Sequence, residues 1–441
     1  LRKHSVIRRE LGPTLALALP MIVGHVSQML MGLTDTAFIG HLGAVPLAAS
    51  AVTQGVFGMF YVVCVGSLVG PGVFAAREHG AGNAAGSASW LRHGLVLALA
   101  IGLAGFCVLA VVSTQFARLG QPSEVIAQAR GFYLLVAASL IPALLFQVQR
   151  QFAEAVGKAW GPTFIGLGSV GLNALLNWLF IFGHGGFPRL GLVGSAWSTL
   201  LARTLALAVL AAWLSFSRAL APWRSTARRT WQRARFFELV RFGAPVAAML
   251  VFETGAFGAA TLMMGWLGTV PLAAHQIALG CASLSFMAPL GLSYAVSMRI
   301  SRACGAGDRE SVRAIGLGAL FAGLALMLSF AGLFAWRGRF IAGLFTSVDS
   351  VAALAAQLLA VAAVFQVFDG SQVISQGALR GLGDVRVPAF LTFGAYWLLS
   401  LPLGYLMAFH YRLGARGLWL GLGAGLLIAA LSLALRFLHR S

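Results

Sequence analysis

The chain has 441 residues, of which 59% are hydrophobic and only 10% charged, with a mean hydropathy of +0.86. Such a composition excludes a soluble globular domain and calls for membrane helices, because about 20 residues at 1.5 Å each cross a hydrocarbon core of roughly 30 Å. The formal net charge of +19 would suit nucleic acid, but the placement of the charges argues against it.

Twelve apolar stretches are predicted to span the membrane, at 13–39, 46–72, 90–113, 130–152, 162–183, 192–216, 238–265, 271–299, 314–336, 353–377, 387–410 and 416–437. With a cytoplasmic N-terminus, seven cations fall outside (Arg118, Arg130, Arg189, Arg337, Arg339, Arg412 and Arg416) and Arg203 lies inside a span. The remaining 23 of the 31 Lys and Arg are then cytoplasmic, which is the positive-inside pattern. The loop after the sixth span carries Arg218, Arg224, Arg228, Arg229, Arg233, Arg235 and Arg241. It reads as a topology and anionic-lipid anchor, not as a nucleic acid site.

The first span follows a basic start and is too long for a cleavable signal, so it reads as an internal start. It contains Pro20, His25, Gln28 and, about four residues from its outer end, Asp35. The second span opens a repeat. Residues 46–83 and 271–308 align without a gap at an offset of 225, mapping Pro46 to Pro271, Gly66 to Gly291 and Arg77 to Arg302; Gly80-Ala81-Gly82 maps to Gly305-Ala306-Gly307. Pro20 and Pro245 fit the same offset, and Gly157 with Gly383 and Pro162 with Pro388 fit an offset of 226. Six helices per repeat leave both halves in the same orientation, related by an axis along the membrane normal. The predicted organisation is a six-helix bundle over 1–216, a basic linker over 217–237 and a second six-helix bundle over 238–441.

In the fifth span, Asn173 and Asn177 are four residues apart and share a helix face. Two amide oxygens beside a carboxylate would suit a hard monovalent cation. The sixth span holds Arg203, expected to be the one deep cation. The seventh holds Glu253 and the tenth Asp369, each near the midplane by residue count, with Gln366, Gln372 and Gln376 around Asp369. A carboxylate at the bilayer centre costs roughly 2.5–3.5 kcal/mol on insertion scales, so it faces a partner, a water-filled cavity or a substrate path. Three such acids against one deep Arg leave at least two without a fixed partner. Groups of that kind protonate or bind a cation. The uncharged polar residues within spans, including Gln54, Gln147, Gln151, His275 and Gln276, either bridge helices or line a polar path. Cys64, Cys107, Cys281 and Cys304 have no metal-ligand spacing and read as packing residues.

Four motifs carry a resemblance: Met31-Gly-Leu-Thr-Asp35-Thr36, Asn173-Ala-Leu-Leu-Asn177, Leu272-Ala-Ala-His-Gln276-Ile277, and Phe365-Gln-Val-Phe-Asp369-Gly370 followed by Gly377-Ala-Leu-Arg-Gly-Leu-Gly-Asp384. Over essentially the whole chain the sequence resembles the multidrug and toxic compound extrusion (MATE) family, in the pattern of its NorM-like bacterial branch. The resemblance implies an all-α membrane protein, with twelve transmembrane helices in two pseudo-symmetric six-helix bundles around a central V-shaped cleft. It implies a multi-pass monomer of the bacterial inner membrane with both termini cytoplasmic and no nucleic acid partner. The implied activity is efflux of organic cationic small molecules in exchange for sodium ions or protons, without a covalent cofactor and without enzymatic turnover. Asp35 would be the N-lobe carboxylate, with Asn173, Asn177 and Thr199 as neighbours. Glu253 and Asp369 would be the C-lobe pair, with Gln276 close by, and the three acids are the candidate sodium ligands. Phe286 stands where some relatives carry Tyr, which keeps a ring face for cation–π contact worth about 0.5–2 kcal/mol but loses a hydroxyl. The sequence also admits two other readings. A lipid-linked oligosaccharide flippase of the same superfamily would call for several deep cations. A membrane-embedded enzyme would call for a nucleophile–base pair or a metal cluster.

Overall fold

The computed structural model describes residues 2–119, 122–217, 221 and 231–441, and every regular element among them is helical. Of the basic loop, Arg218, Arg224, Arg228 and Arg229 lie outside the described residues. Among the described residues, twelve helices are long and apolar enough to cross a membrane. They are α1 (Val6–Gly40, the helix itself starting at Arg2), α2 (Ala44–Gly80), α3 (Ala84–Thr114), α4 (Ser123–Ala155), α5 (Trp160–Phe182) and α6 (Gly191–Phe216). The second set is α7 (Arg233–Leu267), α8 (Thr269–Gly305), α9 (Arg309–Gly343), α10 (Asp349–Leu382), α11 (Arg386–His410) and α12 (Gly414–Arg440). Most run several residues past the apolar stretches read from sequence, because polar residues at the ends stay helical.

Local chemistry explains the interruptions. α2 breaks at Leu68 and Val69 and restarts at Gly70, and α4 breaks at Ser139 and restarts at Leu140. Pro71 and Pro142 fall in the first turns after these breaks, where a missing N–H is no loss. In α11, Pro402 cannot donate back to Leu398, and the backbone takes π-helical turns over Gly394–Ser400 and Leu406–His410.

The repeat is written into the backbone. Gly43 and Gly268, 225 positions apart, have φ of 112° and 120°; Gly82 and Gly307 both have 73°; Gly157 and Gly383, 226 apart, have 81° and 89°. All are values that a Cβ disfavours. At the following residue, Asn83 accepts from the Gly86 amide at 2.9 Å to cap α3, and Asp308 accepts from the Ser311 amide at 3.1 Å to cap α9.

Residues 23–247 form one compact unit, and residues 1–22 with 248–441 form the other. These limits differ from the halves drawn by the repeat, and packing at the starts of α1 and α7 gives the reason. In the unit containing 1–22, Arg299 of α8 donates to the Glu10 carboxylate at 2.5 Å, to the Glu10 carbonyl at 2.6 Å and to the Thr14 hydroxyl at 2.6 Å. Gly291 lies so close to α1 that a Cβ there would be 2.7 Å from the Ile22 backbone nitrogen. In the 23–247 unit, a Cβ on Gly243 of α7 would be 2.1 Å from the Ser67 carbonyl oxygen. Phe242 packs on Phe74 at 5.0 Å, and the Arg235 guanidinium lies 4.9 Å from the Trp90 ring centroid and 3.6 Å from Glu78. α1 and α7 therefore each begin in one unit and end in the other.

Candidate functional site

In the 23–247 unit, three helices converge on Asp35, which is 4% exposed. The Asn177 amide donates to Asp35 Oδ1 at 2.7 Å and the Thr199 hydroxyl donates to Oδ2 at 3.1 Å. Asn177 also donates to Asn173 Oδ1 at 3.3 Å, and Asn173 donates to Thr199 Oγ1 at 3.4 Å. Asn173 and Asn177 are fully buried on one face of α5, as their spacing requires. Thr199 shares its proton between Asp35 and the Ser195 carbonyl, also 3.1 Å away. Asn177 Oδ1 is buried with no partner among the described residues. The cluster thus keeps acceptor capacity beside a carboxylate, the donor set a proton or hard cation would use.

Arg203 makes no direct ion pair with Asp35, and the two attract only across a longer distance. Arg203 donates to the Ser139 hydroxyl at 2.8 Å, at the break in α4, and no described cation forms an ion pair with Asp35. Nor is Arg203 the one deep cation. Arg150, just inside the end of the fourth predicted span, is 3% exposed, and Arg380, beyond the tenth, is 7% exposed, because neighbouring helices cover both. Arg150 donates to Glu154 at 2.7 Å, while Arg380 lies 4.7 Å from the Tyr294 ring centroid and 3.2 Å from Ser293 Oγ.

In the other unit, Glu253 and Asp369 line one cavity of about 400 Å³, together with Gln276, Phe257, Phe286 and Phe365. Neither carboxylate has a hydrogen-bond or ion-pair partner among the described residues. The four residues predicted for this half (Glu253, Gln276, Phe286 and Asp369) are thereby brought to one place. Three aromatic walls against two acids give a space that takes apolar rings and favours positive charge. Among the described residues there is no group of three or more His, Cys, Asp or Glu able to hold a metal ion. A monovalent cation would rely on these carboxylates with amide or hydroxyl oxygens.

Sequence reading missed the supports of this cavity. The π turn of α11 sets Tyr396 against Phe257 at 6.2 Å and lets the Trp397 indole donate to the Phe252 carbonyl, one residue before Glu253, at 3.0 Å. Tyr396 also accepts from the Gln372 amide at 3.1 Å. A directional chain lies beside them. The Trp419 indole donates to His275 Nδ1 at 3.1 Å, so His275 carries its proton on Nε2 and faces Thr261 Oγ1 at 3.0 Å. Thr261, which lines the cavity, passes its own proton to the Phe257 carbonyl at 2.9 Å. His275 is therefore a strut held by both ring nitrogens. Tyr396 and Trp419 carry no spacing signal.

Twelve apolar helices, a duplicated half and carboxylates held inside the spans define a multi-pass membrane transport protein. The MatE family model matches residues 20–179 and again 245–406, its two starts separated by the 225-residue offset of the repeat. The chain is 37% identical over 436 residues to a probable multidrug resistance protein NorM of Pseudomonas aeruginosa, covering 97% of this chain and 89% of that protein. It is also 37% identical over 445 residues to the multidrug resistance protein NorM of Burkholderia vietnamiensis, covering 99% and 94%. Its fold is similar to a crystal structure of MATE in the bent conformation, with a TM-score of 0.89 at 22% identity, covering 100% of this chain and 98% of that one. The chain belongs to the MatE family.

Proposed function

We propose that this protein is a secondary active multidrug efflux transporter that exports organic cations in exchange for sodium ions or protons. The observation that carries this reading is the pair Glu253 and Asp369, unpartnered on a cavity of about 400 Å³ with aromatic walls. An organic cation and a coupling ion would compete for that charge. A sodium ion or proton arriving from outside neutralises the acids, removes the attraction for the substrate and releases it, the differential affinity driving the cycle. Asp35, with Asn173, Asn177 and Thr199, is a second place where the coupling ion binds. The names borne by the NorM relatives support export of drugs.

The protein acts as a monomer in the bacterial inner membrane, as a carrier and not an enzyme, with both termini cytoplasmic. The bias of Lys and Arg toward one side supports that orientation, with 217–237 as the basic linker between the repeated halves. Exchange of one monovalent cation for another moves no net charge, so the membrane potential adds nothing. A second imported ion would gain roughly 2.3 kcal/mol per 100 mV. The test is efflux of a fluorescent organic cation from proteoliposomes, with sodium varied at fixed pH and pH varied at fixed sodium. Efflux driven by one gradient identifies the ion, and efflux indifferent to both rejects the proposal.

A further inference from the structure

The 23–247 unit holds a second cavity, of about 140 Å³, and its charge is of the opposite sign. It is lined by Arg150 and Arg203 with Ser27, Gln28, Tyr61 and Ser169 among its neutral residues, and no carboxylate among the described residues lines it. Arg150 binds Glu154 through Nε alone, at 2.7 Å, which leaves the terminal nitrogens of the guanidinium for other work. They lie across Gly24 of α1, where a Cβ would come within 2.8 Å of Nη2. A bare backbone at that position is what seats the group.

Arg203 is fixed from behind. The Ser139 hydroxyl commits its proton to the Val136 carbonyl at 2.6 Å and so can only accept from Arg203 Nη1, at 2.8 Å. The Phe57 and Tyr61 rings lie 5.5 and 6.0 Å from the guanidinium carbon. Asp35 is hydrogen-bonded by Thr199, one turn earlier on the same helix, and forms no ion pair with Arg203. Two guanidinium groups thus share one cavity with one direct ion pair between them, Arg150 with Glu154, while Asp35 attracts Arg203 only from a distance and keeps its own hydrogen bonds. An unpaired cation held out of water is costly, and the planar fork of Arg matches a carboxylate in two parallel hydrogen bonds. The volume accepts a carboxylate with part of the ring that bears it, and not a whole drug-sized molecule.

We infer that Arg150 and Arg203 form a subsite for the carboxylate of an amphoteric, ring-bearing substrate. The inference rests on the efflux reading above and adds to it that molecules carrying both a cation and a carboxylate are favoured over their esters.

The test uses a matched pair, a cationic xanthene dye with a free benzoate and the same dye as its ethyl ester. Binding to the purified protein in detergent and gradient-driven efflux from proteoliposomes are both measured. Arg203→Gln, and Arg150→Gln combined with Glu154→Gln so that no carboxylate is orphaned, are expected to weaken binding of the acid by about tenfold or more and to leave the ester within about twofold. Arg203→Lys keeps the charge without the fork and falls between; it replaces Arg203→Gln if that variant melts early. Equal loss for both dyes, or no loss for either, overturns the subsite without touching the efflux reading. Failure of both gradients to move either dye in the unaltered protein rejects the efflux reading, and the binding ratios still decide the subsite. If phosphatidylglycerol added to the micelles displaces the acid dye through the same arginines, the occupant is a lipid headgroup and the assignment to a substrate carboxylate is wrong.

Discussion

The side-chain amide of Asn177 donates to the carboxylate of Asp35 at 2.7 Å, across 142 positions of sequence. That single contact ties α5 to α1 and makes the amide the first group to feel a change in the charge of Asp35. A hydrogen bond to an ionised group contributes about 1.5–3 kcal/mol. Asn177→Ala removes that support for the ionised form and should shift the apparent affinity for the coupling ion by about tenfold or more, toward tighter binding where the ion is a proton, with insertion unchanged. Efflux measured against coupling-ion concentration reads it, and an unchanged midpoint would separate Asp35 from coupling.

Glu253→Gln and Asp369→Asn each remove one of the two charges on the aromatic cavity. Either substitution should abolish gradient-driven efflux while the protein still inserts and purifies. Because the two acids share one cavity, the double variant should lose little more than either single one. Additive, partial losses would mean that they act at separate places.

Gly243→Ala and Gly291→Ala put a methyl group 2.1 Å from the Ser67 carbonyl oxygen and 2.7 Å from the Ile22 nitrogen. Overpacking of this kind costs about 1–3 kcal/mol, so both variants should melt several degrees lower in detergent. Gly58→Ala, with nothing within 4 Å, should melt no lower than the parent, since Ala is the better helix former. Equal melting of all three would contradict the close approach.

Asp308 caps α9, and the hydrogen bonds from Ser311 hold its carboxyl below the ordinary carboxylate range. A depressed value in the folded protein means that the cap contributes fully above the unfolded pKa, near 3.9, and is lost as pH falls through the folded one. Asp308→Ala should destabilise by about 1 kcal/mol at neutral pH. Asp308→Asn should be nearly neutral there, as Asn83 is in the repeat-related cap, and should lose less stability than the parent on acidification. Thermal melting between pH 3 and 7 checks both.

Trp419→Phe removes the donor that fixes His275. An orphaned buried acceptor costs about 1–3 kcal/mol, and Thr261→Val added to it should cost little more, because the chain is already broken. Melting curves of the single and double variants give the coupling.

Much of this arrangement is legible in the sequence, because the bilayer enforces it. Twelve spans follow from hydropathy, and the duplication follows from residues such as Gly82 and Gly307, whose shared φ leaves little alternative to glycine. Glu253 and Asp369 stand out because acids are rare in oil. Asn173 and Asn177 stand out because a spacing of four fixes their common face. What escaped the sequence depends on packing between helices far apart in the chain. Arg150 and Arg380 sit near predicted span ends, where hydropathy treats a charge as solvated, yet neighbouring helices cover them. Tyr396 and Trp419 reach the cavity region only through the π turns of α11 and the course of α12, neither of which has a sequence period. The start of α1 reads as the opening of the first half, but its Arg299 contacts place it with the second.

That last feature sets the order in which the molecule can be finished. A ribosome releases Glu10 and Ile22 long before Arg299 and Gly291 exist, so the earliest inserted helix must wait in the lipid with its docking face bare. The stretch 233–247, made halfway through, completes the earlier unit only after the basic segment has been delivered. The 23–247 unit is complete once its own last stretch is made, whereas the other needs both ends of the chain. Two separately expressed halves should then exchange these arms when they meet in one membrane, assembling by mutual repair.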